Sequence, residues 1–313
     1  MSRIPLGNEL ALAAIALAGW FALPQELGFL TQIIATILFV LSLDLVIGFA
    51  GIPSLGQAAM FGSGAYAAGL AALHLTGEPL TGLLLGGLAG LAAAALSGAL
   101  ILRTHGLTFL MLTIAVAQLL YEIANKASAI TGGDDGLSGF QMSPLLGLWA
   151  FDFAGRTAYV YAACVLVACF AVLRRLAASP FGLTCLGIKS DAVRMAAIGC
   201  NVPRHLLTLY AIAGFFAGVA GALATQTTQA ASLATLDFQV SAEALIMLVL
   251  GGAGRLWGAV LGTILFMVVH HVAAAFNPYH WMFVIGAMLI LAVLLLPKGL
   301  IDGFDRLTRR RAP

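Results

Sequence analysis

Long apolar stretches separated by short polar ones run along the whole chain, and they recur at the length a bilayer demands. About 20 mostly apolar residues carry a helix across the hydrocarbon layer. The pattern predicts about ten spans, roughly 7–23, 29–50, 57–74, 81–102, 107–125, 157–173, 206–227, 239–252, 257–276 and 281–297. The eighth is short and the third begins inside a segment broken by glycine and proline, so nine or eleven crossings stay open.

The longest polar, arginine-rich interruption lies between the sixth and seventh spans, at 174–205. It contains the makings of one short helix. Ser190 suits an N-cap, Asp191 suits the positive end of the helix dipole, and Gly199 with Pro203 would end the helix. Helical spacing gathers Ile188, Ala192, Met195 and Gly199 on one face, with Lys189, Ser190, Asp191 and Arg194 as the polar residues. A membrane protein that carries a capped amphipathic helix outside the bilayer can press it into a soluble partner. A transporter driven by a separate ATPase needs such a contact.

Composition makes the membrane reading firm. Hydrophobic residues are 61% of the chain and charged ones only 9%, with a mean hydropathy of +1.03, values outside the range of ordinary soluble domains. The expected fold is all-α, a polytopic transmembrane helical bundle forming a single transmembrane domain over 1–313, with 174–205 as a cytoplasmic loop within it. Basic residues favour the cytoplasmic side. An N-in/C-in arrangement puts Arg3, Arg103, Arg174, Arg175, Lys189, Arg194, Arg204, Arg255, Lys298, Arg306, Arg309, Arg310 and Arg311 there, leaving Lys126 and Arg156 outside. The net charge of +2 is then a signature of topology and gives no reason to expect nucleic acid. Arg3 and the apolar run after it read as an uncleaved first helix. The four cysteines lack metal or redox spacing, and disulfides are not expected. No phosphate-binding Gly-x-x-x-x-Gly-Lys-Ser/Thr loop occurs, so no cofactor is expected in this chain and ATP would be bound by a partner. Neither a His-Glu-x-x-His nor a Gly-x-Ser-x-Gly motif appears, and the histidines, including adjacent His270 and His271, read as packing or interfacial residues.

Glycine is abundant, with 36 residues. The series Gly82/Gly86/Gly90, Gly214/Gly218 and Gly254/Gly258/Gly262 allow helices to approach closely, and plain packing accounts for most of them. The stretch 48–57 differs, because Gly48, Gly51, Pro53, Ser54 and Gly56 interrupt an apolar run at membrane depth. Such a break is stable only where it is buried in protein or lines a watery cavity. Cavity lining is the favoured expectation, which makes Gly51, Ser54 and Gln57 candidates for a translocation path. Asp44 and Glu243 join them as ionisable residues inside spans, where burial is costly and function is the default hypothesis. Gln118, Glu122 and Asn125 are the other intramembrane polar positions. On the outer side, Thr131, Gly132, Gly133, Asp134 and Asp135 form a tight acidic turn lacking calcium-loop spacing, a surface turn or a docking point for an external partner.

Four ordered blocks, 48–66 (GFAGIPSLGQAAMFGSGAY), 131–139 (TGGDDGLSG), 179–202 and 248–262 (LVLGGAGRLWGAVLG), together with Pro297-Lys298-Gly299-Leu300, carry a resemblance that spans nearly the whole chain. They resemble the LivM-type permease of branched-chain amino acid ABC importers. That resemblance implies a non-catalytic subunit of the bacterial cytoplasmic membrane. Its implied partners are a related LivH-type permease, two cytosolic ATPases and a periplasmic substrate-binding protein. It also implies that 179–202 docks on the ATPase, through Phe181, Gly182, Ile188, Lys189, Asp191, Arg194, Met195 and Gly199. The chain departs from the family pattern at Ile52 and Gln57, at Asp44 where asparagine is usual, and at Ala192 where an acid is usual. Branched-chain amino acids therefore stay open against urea, short amides and aromatic carboxylates. A self-contained secondary transporter, with Asp44 or Glu243 as a proton site, and an intramembrane enzyme are the other classes considered.

Overall fold

A computed structural model describes residues 7–276 apart from 23, 76, 105, 145–148, 151 and 153–154, together with 283, 286–290, 294 and 299–300. The helices follow in order: α1 (Gly7–Ala22), α2 (Leu27–Asp44), α3 (Gln57–His74), α4 (Pro79–Ile101), α5 (Leu107–Lys126), α6 (Ser128–Thr131), α7 (Arg156–Ala178), α8 (Pro180–Ser190), α9 (Ala192–Ala197), α10 (Val202–Thr228), α11 (Phe238–Gly251) and α12 (Leu256–Phe276). Among the described residues the only strand-like pairing is an isolated bridge between Leu137 and Ala231.

Among the described residues six helices are long and apolar enough to cross a membrane: α2 with its extension to Phe49, α4, α5, α7, α10 and α12. This falls short of the ten spans expected from the pattern. Helix α1 and helix α11 are apolar but short. Helix α3 is built from Ala, Gly and Ser and is buried along most of its length; a helix enclosed by protein needs no lipid-facing apolar surface. The stretch 281–297 lies mostly outside the described residues, as do 297–298 of the C-terminal block and Arg3, Lys298 and the arginines at 306–311.

Helix α2 is the centre of the bundle: the most apolar span is also the most enclosed, with 78% of its central window buried. Leu38, Val40, Leu41 and Leu43 are fully covered by α7, α10, α11 and α12. Helix α5 stands at the periphery, and its Gln118 and Glu122 pair with each other on an exposed face.

Glycine seams bring α3, α4 and α10 into backbone contact. A side chain at Gly218 would strike the Gly86 carbonyl and meet the Gly90 Cα at 3.0 Å, and one at Gly64 would strike Gly218 in turn. At the end of the seam Gln226 donates to the Pro79 carbonyl at 2.8 Å and accepts from the Tyr161 hydroxyl at 2.7 Å. The glycines of 251–262 do the same for the α11–α12 hairpin, where Gly251, Gly258 and Gly262 pack backbone to backbone. The repeated glycines are thus taken up by packing within the chain.

At one end of the bundle Leu137, Phe140, Met142, Ala231, Leu233 and Leu236 form a small plug over α3 and α5. The acidic turn belongs to this end. Gly132, Gly133 and Gly136 all have positive φ, Thr131 is buried with its hydroxyl turned back onto the Ala124 carbonyl, and Asp134 and Asp135 are exposed.

Candidate functional site

Three segments meet at the opposite end. Helix α2 widens into a π-turn over Leu45–Phe49, with Ala50 N–H bonded to the Leu45 carbonyl at 3.3 Å; π-turns inside α-helices recur at functional sites. Asp44, just before that turn, is fully buried, and its Oδ1 accepts the Gly254 N–H at 2.6 Å. Its other oxygen, Oδ2, has no hydrogen-bond partner among the described residues. Gly48 has room for no side chain, since a Cβ would collide with both the Asp44 carboxyl and the Gly254 backbone. The glycine-rich segments 48–51 and 251–254 are therefore in physical contact.

The third segment is α8. Lys189 sends its Nζ to the Gly48 carbonyl at 2.6 Å, and its stem lies across Gly51, where a Cβ would come within 2.7 Å of the lysine Cγ. Gly51 has φ +72°, so glycine is required there both for space and for the left-handed backbone.

Within the broken segment Gly51 and Pro53 are exposed, whereas Ser54 and Gln57, expected to line a cavity, are packed against protein. Both are buried, and Ser54, with hydroxyls of other helices, satisfies backbone groups freed by the break. Gly56 N–H donates to Ser54 Oγ at 3.3 Å, Leu55 N–H to Thr113 Oγ1 at 3.3 Å, and Ala58 N–H to Ser241 Oγ at 2.8 Å. Gln57 reaches Ser42 at 3.4 Å. A buried polar group without a partner is costly, and these hydroxyls remove that cost for the backbone amides, while Gln57 Oε1 has no hydrogen-bond partner among the described residues. Asp44 is tied to the Gly254 amide.

The polar interruption 174–205 is an elbow of two helices, not one helix capped by Ser190. Ser179 caps α8, accepting the Gly182 N–H at 3.3 Å, and Pro180 follows at its first position, where its missing N–H does no harm. Asp191 is in extended backbone and caps α9, accepting from Val193 and Arg194 N–H at 3.1 and 3.0 Å. It also pairs with the Arg194 side chain at 2.8 Å. Asp outranks Ser190 as the cap because its carboxylate serves two amides and the helix dipole together. Gly199, at φ +91°, ends the elbow as expected.

Moving the cap by one residue changes which side chains are presented. Ile188 and Gly182 are buried within this chain, so neither forms an outward face. Met195 is half-buried against Gly187, and Phe181 stacks on His205 with ring centres 5.6 Å apart. The large apolar side chains that the elbow offers to the outside are Leu183, Leu186, Val193 and Ile198, the last two 81% and 77% exposed.

Of the predicted path residues, Glu243 borders a cavity. This space, about 350 Å³, lies between α2, α3, α11 and α12. Its apolar wall includes Phe39, Phe61 and Met247, and its polar groups are Gln32, Thr36, Glu243, His270 and His271. Glu243 accepts from Gln239 at 2.9 Å, and His271 stacks on Phe29 at 4.1 Å. The histidines had read as packing residues. The overlooked signal is that Gln32 and Thr36 stand four residues apart on the first strongly apolar helix, one turn of a face that lipid would not tolerate. A larger groove bordered by Trp20, Leu80, Val160 and Val165 is nearly all apolar, a surface for lipid more than for a polar solute.

Comparison with known proteins agrees with this architecture. A family model described as "Branched-chain amino acid transport system / permease component" matches residues 26–293. The high-affinity branched-chain amino acid transport system permease protein LivM of Salmonella typhimurium is 27% identical over 93% of this chain and 74% of its own length. The LivM of Escherichia coli K12 is 27% identical over 83% of this chain and 66% of its own. The galactose/methyl galactoside import permease protein MglC of E. coli is 29% identical over 59% of this chain and 55% of its own. No solved structure matches.

Proposed function

We propose that this chain, which belongs to the branched-chain amino acid transport system permease family, is the membrane-spanning, non-catalytic subunit of a bacterial ABC importer. In this reading it lies in the inner membrane with both termini in the cytoplasm. The six long spans are joined by α1, α3, α11 and the segment near 281–297 to make ten. The partners are one related LivH-type permease, two cytosolic ATPases that bind the ATP, and a periplasmic binding protein that meets the exposed turn at Asp134 and Asp135.

The observation that carries the reading is the polar cavity on otherwise apolar helices. Gln32, Thr36, Glu243, His270 and His271 border one space walled in part by the candidate spans α2 and α12, an arrangement unstable against lipid and useful beside a second, pore-completing subunit. Branched-chain amino acids are the substrate class proposed, since two relatives carry that name. An amphiphilic solute of that kind suits phenylalanine walls with a carboxylate and amide at hand.

The test is uptake by the reconstituted importer, with labelled leucine, valine, galactose, urea and benzoate as the panel. Glu243→Gln should lower uptake of the accepted solute roughly tenfold, the usual size of a lost charge-assisted contact, with subunit assembly intact. Unchanged uptake in Glu243→Gln and in Gln32→Ala would remove the cavity from the path.

A further inference from the structure

Lys189 is exposed overall, yet its stem crosses Gly51 and its ammonium ends on the chain itself. Its ammonium donates to the Gly48 carbonyl at 2.6 Å, inside the π-turn that ends α2, and stands within electrostatic reach of the Asp44 carboxyl. Asp44 in turn is tied to Gly254 at the α11–α12 turn by its 2.6 Å bond. One side chain of the elbow is thus bonded to the least regular point of the central helix, and that point is bonded to the hairpin whose α11 carries Glu243.

We propose that Lys189 is a positioning residue that transmits movement of the elbow to the break in α2. The proposal rests on the coupling role given to 174–205 above. Three features support an inward strut over a docking contact. Glycine at 51 leaves the channel in which the lysine stem lies. Glycine at 48 lets the acceptor carbonyl, Asp44 and Gly254 crowd together without a side chain between them. The π-turn replaces the regular ladder of α2 with wider bonds, so a pull on its Gly48 carbonyl meets less resistance than it would one turn earlier. Displacement of α8 would then be felt at Asp44 and, through Gly254, at the base of α11.

The experiment uses the complex that co-purifies with this chain, in lipid nanodiscs for exchange and in proteoliposomes for uptake. Lys189→Met keeps the stem and removes the donor, while Lys189→Arg keeps a donor. Lys189→Met should retain the ATPase subunits and ATP hydrolysis but lower solute moved per ATP roughly tenfold, a coupling change of ordinary size. Amide exchange over 48–52 should accelerate, and Lys189→Arg should restore most of both properties. Normal uptake and exchange in Lys189→Met would overturn the strut. Loss of ATPase co-purification in Lys189→Met would overturn it too, by placing the ammonium on the partner. Val193→Asp, on the exposed side of the elbow, tests the reading beneath: retained ATPase co-purification and hydrolysis there would defeat the coupling role itself, whatever Lys189 does.

Discussion

Cys185 shows how little a side chain's distance from the membrane says about its access to water. It lies in α8, within the polar interruption, yet it is completely covered. Burial pushes its thiol up to about 11, with neighbouring Cys200 adding to the shift. Thiolate, the reactive form, is then on the order of 10⁻⁴ of the population at pH 7 and grows about tenfold per pH unit. A maleimide at neutral pH should label Cys200, which is part-exposed, well before Cys185, as read by peptide mass spectrometry; rapid labelling of Cys185 in the intact protein would contradict its packing. Asp44 makes the same point with a charge-bearing group. Its composition-level oddity was visible, but its partner, the Gly254 amide, lies 210 positions away and carries no side chain by which spacing could announce it.

At the scale of elements, the glycine seams decide how closely α3, α4 and α10 pack. The contacts at Gly64, Gly86, Gly90, Gly214 and Gly218 are backbone against backbone, which leaves a new side chain no flexible neighbour to displace. Gly218→Leu should destabilise the folded protein by at least the ~1–3 kcal/mol typical of an overfilled core. Gly28, on α2, faces open space, so Gly28→Ala should be neutral or slightly stabilising, by up to ~1 kcal/mol from helix propensity. Thermal unfolding in detergent, followed by tryptophan fluorescence, separates the two. Equal melting temperatures for Gly218→Leu and the parent would mean the seam is not formed. The elbow is the other lesson of this scale. The sequence suggests Ser190 as the cap and Asp191 as a partner of the helix dipole; with Asp191 as the cap the exposed face passes from Ile188 to Val193 and Ile198.

For the whole molecule, contacts among the described residues gather Arg103, Arg174, Lys189, Arg204 and Arg255 at the ends of helices that meet near the π-turn. Gly98 packs on Tyr210 and Leu207, Arg174 pairs with Glu9 at 3.7 Å, and Gly254 reaches Asp44. That clustering fits one cytoplasmic end. The plug around Leu137 and Ala231 closes the other. The polar cavity is bounded by α2, α3, α11 and α12, and in the proposed reading a related permease would complete the path beside it. Native mass spectrometry of the detergent-extracted complex should find one copy of this chain, one related permease and two ATPase subunits. A transport-competent assembly holding two copies of this chain and no other permease would exclude the heteromer.

The all-helical class, the membrane setting and the existence of a polar segment at 174–205 were determined by the sequence alone, because each follows from apolar run length and local composition. The break at 48–57 was legible for the same reason: glycine and proline act on their own backbone. What the break is for was not legible. Whether Ser54 and Gln57 face water or Ser42, Thr113 and Ser241 depends on which helices pack around them, and hydroxyls from distant segments leave no periodic trace. The outward face of the elbow, the Lys189–Gly48 bond and the meeting of Gln32, Thr36, Glu243, His270 and His271 around one space were likewise decided only by the tertiary structure. Each joins residues from separate helices through contacts of a few ångströms, and such contacts are set by helix rotation and depth, to which hydropathy along a single chain is blind.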